Sequence, residues 1–262
     1  MDVAHPKILF ELTMNTVRRN LAVQYKSTFM GLSWMILSPL ILLLIYTFIF
    51  TQVFSTRWGN VDSSVYFALN LFTGMLLHGW MSESLQRSTG LLVNEAPLVK
   101  KLNFPIPVLT VSMVLTTGVQ ALFGLFILLL SVGILLQQLP LTVLFLPVII
   151  LPFLILLLGL CLFVSSLSVY FRDLTILSGF LSMGLLFLSP VFYPVEALPA
   201  ALQSYIYLNP LTYPMVSSRE LIFSGVLPEP GGLVLYYFLG GTTFLTAYWV
   251  YLKLKKGFAD VL

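Results

Sequence analysis

Apolar runs separated by short polar interruptions dominate the chain, and their lengths set its elements. Six runs, over residues 31–54, 64–82, 108–136, 141–170, 175–188 and 232–252, contain no Asp, Glu, Lys or Arg. A helix rises about 1.5 Å per residue, so about 20 residues match a hydrocarbon layer of roughly 30 Å. Six membrane-spanning helices are expected, the first with Pro39 as a candidate kink. Residues 7–26 follow a different pattern. Phe10, Met14, Val17, Leu21 and Tyr25 fall on one helical face, and Glu11, Asn15, Arg18, Arg19 and Lys26 on the other. Such a helix lies in the membrane surface with its basic side towards anionic headgroups, or caps a soluble partner.

Two further stretches do not fit a plain bundle. The first, QRSTGLLVNEAPLVKKLNFPIP after the second run, is too polar to span and too apolar for a simple linker. Ser88 or Thr89 is placed to cap a short helix ending before Pro97, with Leu91, Leu92 and Leu98 available for contact. A docking element and a solvated connection both fit that pattern. The second follows the fifth run. Seven of the fifteen prolines lie between Pro190 and Pro230. Proline removes a backbone donor and clashes with the preceding turn, so residues 190–225 should form short broken helices. In lipid, broken backbone persists only against protein or beside water, which suits an entrance, an exit or a gate.

Composition fixes the class. The chain is 58% hydrophobic and 9% charged, where a soluble domain carries about 25% charge. An all-α polytopic membrane protein with one transmembrane domain over residues 1–262 is expected. The opening residues lack an apolar core followed by a small-residue cleavage site, so the N-terminus is expected to stay in the cytoplasm. With six crossings, Lys7, Arg18, Arg19, Lys26, Arg87, Lys100, Lys101, Arg172, Lys253, Lys255 and Lys256 then share the cytoplasmic side, leaving only Arg57 and Arg219 outside. This positive-inside bias puts both termini in the cytoplasm. The net charge of +3 gives no reason to expect nucleic acid.

Candidate chemistry is sparse. Cys161 is a lone cysteine in an apolar run, so an intrachain disulfide and a zinc pattern are excluded. The ionisable candidates within the spans are His78 and Glu83, both towards the cytoplasmic end of the second, and they make no convincing proton relay. No paired carboxylates fall in an evident pocket, and no Gly-Lys phosphate loop occurs, so no cofactor is expected in this chain. Thr175, Ser178, Ser182 and Ser189 fall within about one helical face, and Tyr46, Thr47, Phe50 and Thr51 sit in the outer half of the first span. Small hydroxyl residues serve tight helix packing or a water-lined path. Rings facing the C–H surface of a sugar and hydroxyls meeting its edge would suit a polymer pore.

The strings QYKSTFMGLSWMILSPLILLLIYTFIF, NEAPLVKKLNFPIPVL, YFRDL, LSPVFYPVEALP and LNPLTYP, followed by Arg219-Glu220, resemble ABC transporter permeases that export surface polysaccharides such as O-antigen. They occur in the same order from about residue 15 to 225. Gln24 stands where an arginine often precedes Tyr-Lys, and Pro105-Ile106-Pro107 replaces a common Pro-Arg-Glu. The resemblance implies a homodimeric channel in the cell inner membrane and two copies of a separate subunit that binds ATP and Mg. It makes residues 88–101 the coupling helix on that ATPase, with Ser88, Leu91, Leu92, Glu95, Lys100 and Lys101 at the contact. It places Tyr46, Phe50, Ser178, Ser182 and Ser189 along the path of a lipid-linked polysaccharide. Tyr193, Asn209 and Arg219 fall at an outer gate within re-entrant helices. Arg172-Asp173 reads as a structural pair. Rival readings are a related permease for lipids, drugs or a teichoic-acid-like polymer, and a membrane-embedded enzyme or glycan-synthase subunit.

Overall fold

A computed structural model describes residues 6–26, 28–53, 64–101 and 104–262, and within them all regular structure is helical. Helix α1, Pro6–Lys26, precedes an elbow and α2, Trp34–Phe48, which carries Pro39 inside it and ends in a π-turn, Ile49–Val53. Then come α3, Ser64–Asn94, α4, Ala96–Lys101, and α5, Ile106–Leu135. Helices α6, Leu146–Ser168, and α7, Leu174–Leu188, lead into the proline-rich region. That region holds α8, Ala200–Ile206, and α9, Thr212–Arg219, which runs into a π-turn, Glu220–Ser224, closed by Gly225 at φ 68°. Helix α10, Pro230–Leu254, and a short α11, Phe258–Val261, complete the chain.

The elements organise around α3. It packs against α2, α5, α6, α7 and α9, and its residues from Phe67 to Gly74 are buried in succession. Leu77, Trp80, Met81 and Leu85 of α3 meet Met113 and Val114 of α5 and Phe153, Leu156, Leu157 and Cys161 of α6 in the central core. Trp80 donates its indole N–H to Val114 O at 3.3 Å and stands edge-on to Phe153. Cys161 is fully buried there. Because neighbours shield α3 from lipid, it tolerates Asn70, Thr73, His78 and Ser84 along its length.

Helices α6 and α10 form the closest pair, and glycine is the reason. A Cβ on Gly159 would lie 2.8 Å from Phe244 Cα, and one on Gly240 would lie 2.8 Å from Pro152 O. Backbones that approach so closely gain dispersion contact without a hydrophobic drive, the usual solution between helices in lipid.

Four described segments, Gly31–Phe48, Ile106–Leu135, Leu141–Ser168 and Pro230–Gly257, are long and apolar enough to cross a membrane, and Leu174–Leu188 is a shorter apolar helix. The chain is a membrane protein. The expected break after residue 82 is corrected: α3 continues to Asn94, so the stretch taken for a separate docking helix is mostly the end of α3. Ser88 and Thr89 cap nothing, and their hydroxyls donate to Leu85 O and Gln86 O within the same helix. The new helix starts only after the turn at Glu95, with Pro97 in its first turn, where a missing N–H is harmless. Pro105 and Pro107 likewise flank the start of α5.

Candidate functional site

Two ends of the bundle carry the polar chemistry. At one end, α1 lies along α5 and buries Thr13, Val17 and Tyr25, while Phe10 stays exposed. Arg19 of α1 pairs with Glu95, the hinge between α3 and α4, at 2.8 Å. The Glu95 carbonyl accepts from Leu98 N and Val99 N, which starts α4. Glu83 of α3 pairs with Arg87 at 2.6 Å. Gln120 of α5, in the amide orientation that satisfies its neighbours, donates to the Glu83 carboxylate at 3.1 and 3.2 Å. Its oxygen accepts from the Tyr25 hydroxyl at 2.7 Å and the Gln24 amide at 2.6 Å. Gln24 is thus absorbed into a polar link between α1, α3 and α5 that ends on the Glu83 carboxylate.

The residues expected to meet a partner here divide. Lys100 is exposed, Glu95 is half-exposed, and Lys101 closes α4 with its side chain outside the described residues. Ser88 and Leu92 are fully buried within the chain. Leu92 packs with Ile106, Leu109, Leu162, Ala247, Tyr251 and Phe258, and Leu91 is partly buried beside them. Phe258, from a C-terminal turn in which no role was anticipated, therefore lies in the same cluster as Leu98 and Val99 of α4.

Along the middle of the bundle, Ser178 and Ser182 are the buried residues of α7, pressed against α3. His78 Nε2 donates to the Ser182 carbonyl at 2.9 Å, and Gln86 reaches the Ser182 hydroxyl at 3.4 Å. Ser189, also buried, accepts from Asn209 Nδ2 at 2.9 Å. Within the chain these serines form the packing face of α7, because small hydroxyls let α7 approach α3. The opposite face of α7, with Ile176, Phe180, Met183 and Phe187, is exposed. Tyr46 and Phe50 are partly buried, and Phe50 contacts Phe67 at a ring separation of 4.8 Å. Arg172 and Asp173 are exposed ahead of α7 and make no ion pair with each other.

At the other end, roughly 35 Å away along α3 at about 1.5 Å per residue, Arg219 is buried. Its Nε donates to Asn70 O at 3.0 Å, Nη1 to Pro190 O at 2.5 Å and Nη2 to Val191 O at 3.0 Å. Gly74 makes this possible, since a Cβ there would sit 2.7 Å from Arg219 Nη2. Asn209 donates to Leu188 O and accepts from Leu211 N, an Asx turn that ties the broken helices to the end of α7. Tyr193 donates to Phe187 O at 3.2 Å. The three residues expected at a gate are therefore brought together as struts of one corner.

Beside Arg219 lies a cavity of about 250 Å³ lined by Tyr66, Asn70, Glu196, Glu220 and Ser224, among others. Glu196 and Glu220 share it, which corrects the expectation that no two carboxylates meet in a pocket. They are 24 positions apart in the chain, and only the fold joins them. Burial, then the charge of Glu196, raises the Glu220 carboxyl above the usual carboxylate range. Among the described residues, no group of three His, Cys, Asp or Glu is placed to hold a metal.

A helical membrane domain, a polar hinge at one end and a proline-broken corner at the other define a polytopic membrane domain. The profile of the ABC-2 type transporter family matches residues 11–223, and the chain belongs to that family. It is similar to an O-antigen export system permease protein, RfbA, of Klebsiella pneumoniae, with 29% identity over 258 residues covering 97% of this chain and 96% of the relative. A protein of the same name from Myxococcus xanthus is 28% identical over 222 residues, 83% of this chain and 82% of its own length.

Proposed function

We propose that this chain is the channel-forming permease half of an ATP-driven exporter that carries a lipid-linked, O-antigen-type polysaccharide across the inner membrane. The observation that carries this reading is the likeness to named O-antigen export permeases over almost the full length of both chains. In this reading α2, α3, α5, α6, α7 and α10 are six spans, and both termini face the cytoplasm. Residues 190–225 are re-entrant at the outer mouth. Two copies of the chain enclose the path, and two copies of a separate ATPase bind ATP and Mg.

Geometry supports a division of labour. The Arg19–Glu95 pair links α1 to the hinge of α4, so a push on α4 from an ATPase reaches α1 and α3 together. The coupling surface becomes Glu95, Pro97 and Lys100, which remain accessible, with Leu92 beneath it as support. The exposed apolar faces of α2 and α7 are the surfaces on which a second copy and the glycan path would be built.

Depleting the protein and fractionating lipid-linked glycan tests the reading. Finished polymer is expected to accumulate on the cytoplasmic side. Normal surface glycan without internal accumulation would move the assignment to a lipid or drug permease of the same family.

A further inference from the structure

Helix α4, Ala96–Lys101, has six residues, and a helix of fewer than two turns does not hold its shape alone. Its pose comes from what it packs against. Glu95, its hinge, is paired with Arg19, but the two side chains are 31% and 49% exposed, and water weakens an ion pair so placed. The firmer seat is apolar. Leu98 and Val99 of α4 pack in the cluster that contains Leu92 and Phe258. Beyond α3, to which the hinge joins it, α4 packs chiefly against α11.

Phe258 is the side chain that α11 brings to this seat, and it is 1% exposed. Its ring centroid lies 6.4 Å from that of Tyr251 on α10 and 6.1 Å from that of Tyr170. Val169 and Tyr170 stand in the elbow between the end of α6 and the start of α7, and Val169 is buried in the same cluster. The Tyr170 hydroxyl donates to Leu254 O, the last carbonyl of α10, at 2.9 Å. Gly257 leaves room for that ring, since a Cβ there would lie 2.5 Å from Tyr170 Oη. The Leu262 amide donates to Phe258 O at 3.0 Å and closes the turn that presents Phe258. The ring is therefore seated where α4, the end of α10 and the α6–α7 elbow meet. Helix α7 itself packs on α3 and α6. The ring and the elbow give a displacement of α4 a side-chain route to α7 that does not run along the whole of α3.

We propose that Phe258 is a positioning residue for energy coupling. It fixes the pose in which α4 meets the ATPase, and it passes the displacement of α4 to the elbow ahead of α7. The assignment rests on the export reading and deepens it, because it names a second element besides α4 through which the ATP-driven movement passes.

The pose is read first, on the full chain in lipid nanodiscs. A nitroxide at Lys100→Cys, in the Cys161→Ala background, reports the mobility of α4 by electron paramagnetic resonance. Phe258→Ala should make the label more mobile, and Phe258→Leu, which refills most of the seat, should recover most of the wild-type order. Gly257→Ala should act like Phe258→Ala, because its Cβ displaces Tyr170 while Phe258 is kept. Leu128→Ala also removes buried apolar volume, but in the cluster around Leu69 towards the opposite end of α3, and should leave the label unchanged. Coupling is read next, in cells that also carry the ATPase. Per inserted chain, Phe258→Ala should lower surface glycan about fivefold, within the range by which packed networks alter coupling, while the recovered complex still hydrolyses ATP. An unchanged label in Phe258→Ala, or equal loosening by Leu128→Ala, would overturn the proposal. Export that falls only in proportion to the amount of inserted chain would do the same. If Phe258→Ala does not insert, Gly257→Ala carries the same comparisons. The label needs neither ATPase nor glycan, and depletion of the wild-type chain tests export by itself, so either reading can fail while the other stands.

Discussion

Arg219 places a cation where water is excluded, and three carbonyl acceptors make that tolerable. Hydrogen bonds to a charged group contribute about 1.5 to 3 kcal/mol each, and removal leaves carbonyls of Pro190 and Val191 without their donor. Arg219→Ala should therefore destabilise the solubilised protein by about 3 kcal/mol or more, visible as a lowered unfolding midpoint. Arg219→Lys should recover little, because a single ammonium does not span the fork of carbonyls that the guanidinium reaches. A Lys variant as stable as wild type would show that charge alone is needed. Gly74→Ala should act in the same direction, since its Cβ displaces the guanidinium. Glu220 offers a pH test at the same corner. Its carboxyl is raised, chiefly by burial and then by Glu196, so the folded chain holds a proton that the unfolded chain releases nearer pH 4.5. The resulting stability is fully present below about pH 4.5 and is lost as pH rises through the folded value. Relative to Glu220→Gln, the wild type should gain stability as pH falls from 7 towards 4.5. A constant difference between the two melting curves across that range would remove the effect.

Among the elements, α3 and α7 show what a linear pattern conveys. The long apolar helices Ile106–Leu135, Leu146–Ser168 and Pro230–Leu254 and the helical start were legible because lipid imposes length and period on a helix it touches. The end of α3 was not. QRSTGLLVN reads as a polar interruption, yet Ser88, Thr89 and Leu92 are buried, since α3 is surrounded by protein and obeys packing instead of hydropathy. The serines of α7 were legible as a face but ambiguous in use, because packing and lumen both select small hydroxyls. Within the chain Ser182 packs against His78 and Gln86. The acidic cavity was illegible for a different reason: Glu196 and Glu220 lie on separate pieces of broken backbone whose return no periodicity encodes. Cysteine labelling separates the two uses of α7. In the Cys161→Ala background, Ser182→Cys should resist a membrane-permeant maleimide while Phe180→Cys reacts. The reverse pattern would return the serine face to a lumen.

For the whole molecule, exposed apolar surface alone does not identify a partner, because lipid chains satisfy Leu and Phe as well as a second protein does. Exposed faces on α2, α7 and α10 are alike in this respect. Their anchoring differs. Helix α10 is locked to α6 through Gly159 and Gly240, where backbone meets backbone, whereas α2 rests against α3 and α5, and α7 mainly against α3. α7 does so through its buried serines, with His78 and Gln86 of α3 reaching Ser182, and through Leu185 and Leu186 against the central core. Side-chain packing of this kind can rearrange where a backbone-to-backbone contact cannot, which a path that opens and closes requires. If two copies enclose the path between these helices, single cysteines at Leu44 of α2 or Phe180 of α7 should cross-link copy to copy in native membranes. Leu235 of α10 should not. ATP supplied to the complex with its ATPase should change the yield at Leu44 and Phe180 together, since both helices move against the same α3. Cross-linking through Leu235 with none at Leu44 or Phe180 would place the second copy on the α10 side and make α2 and α7 lipid-facing helices.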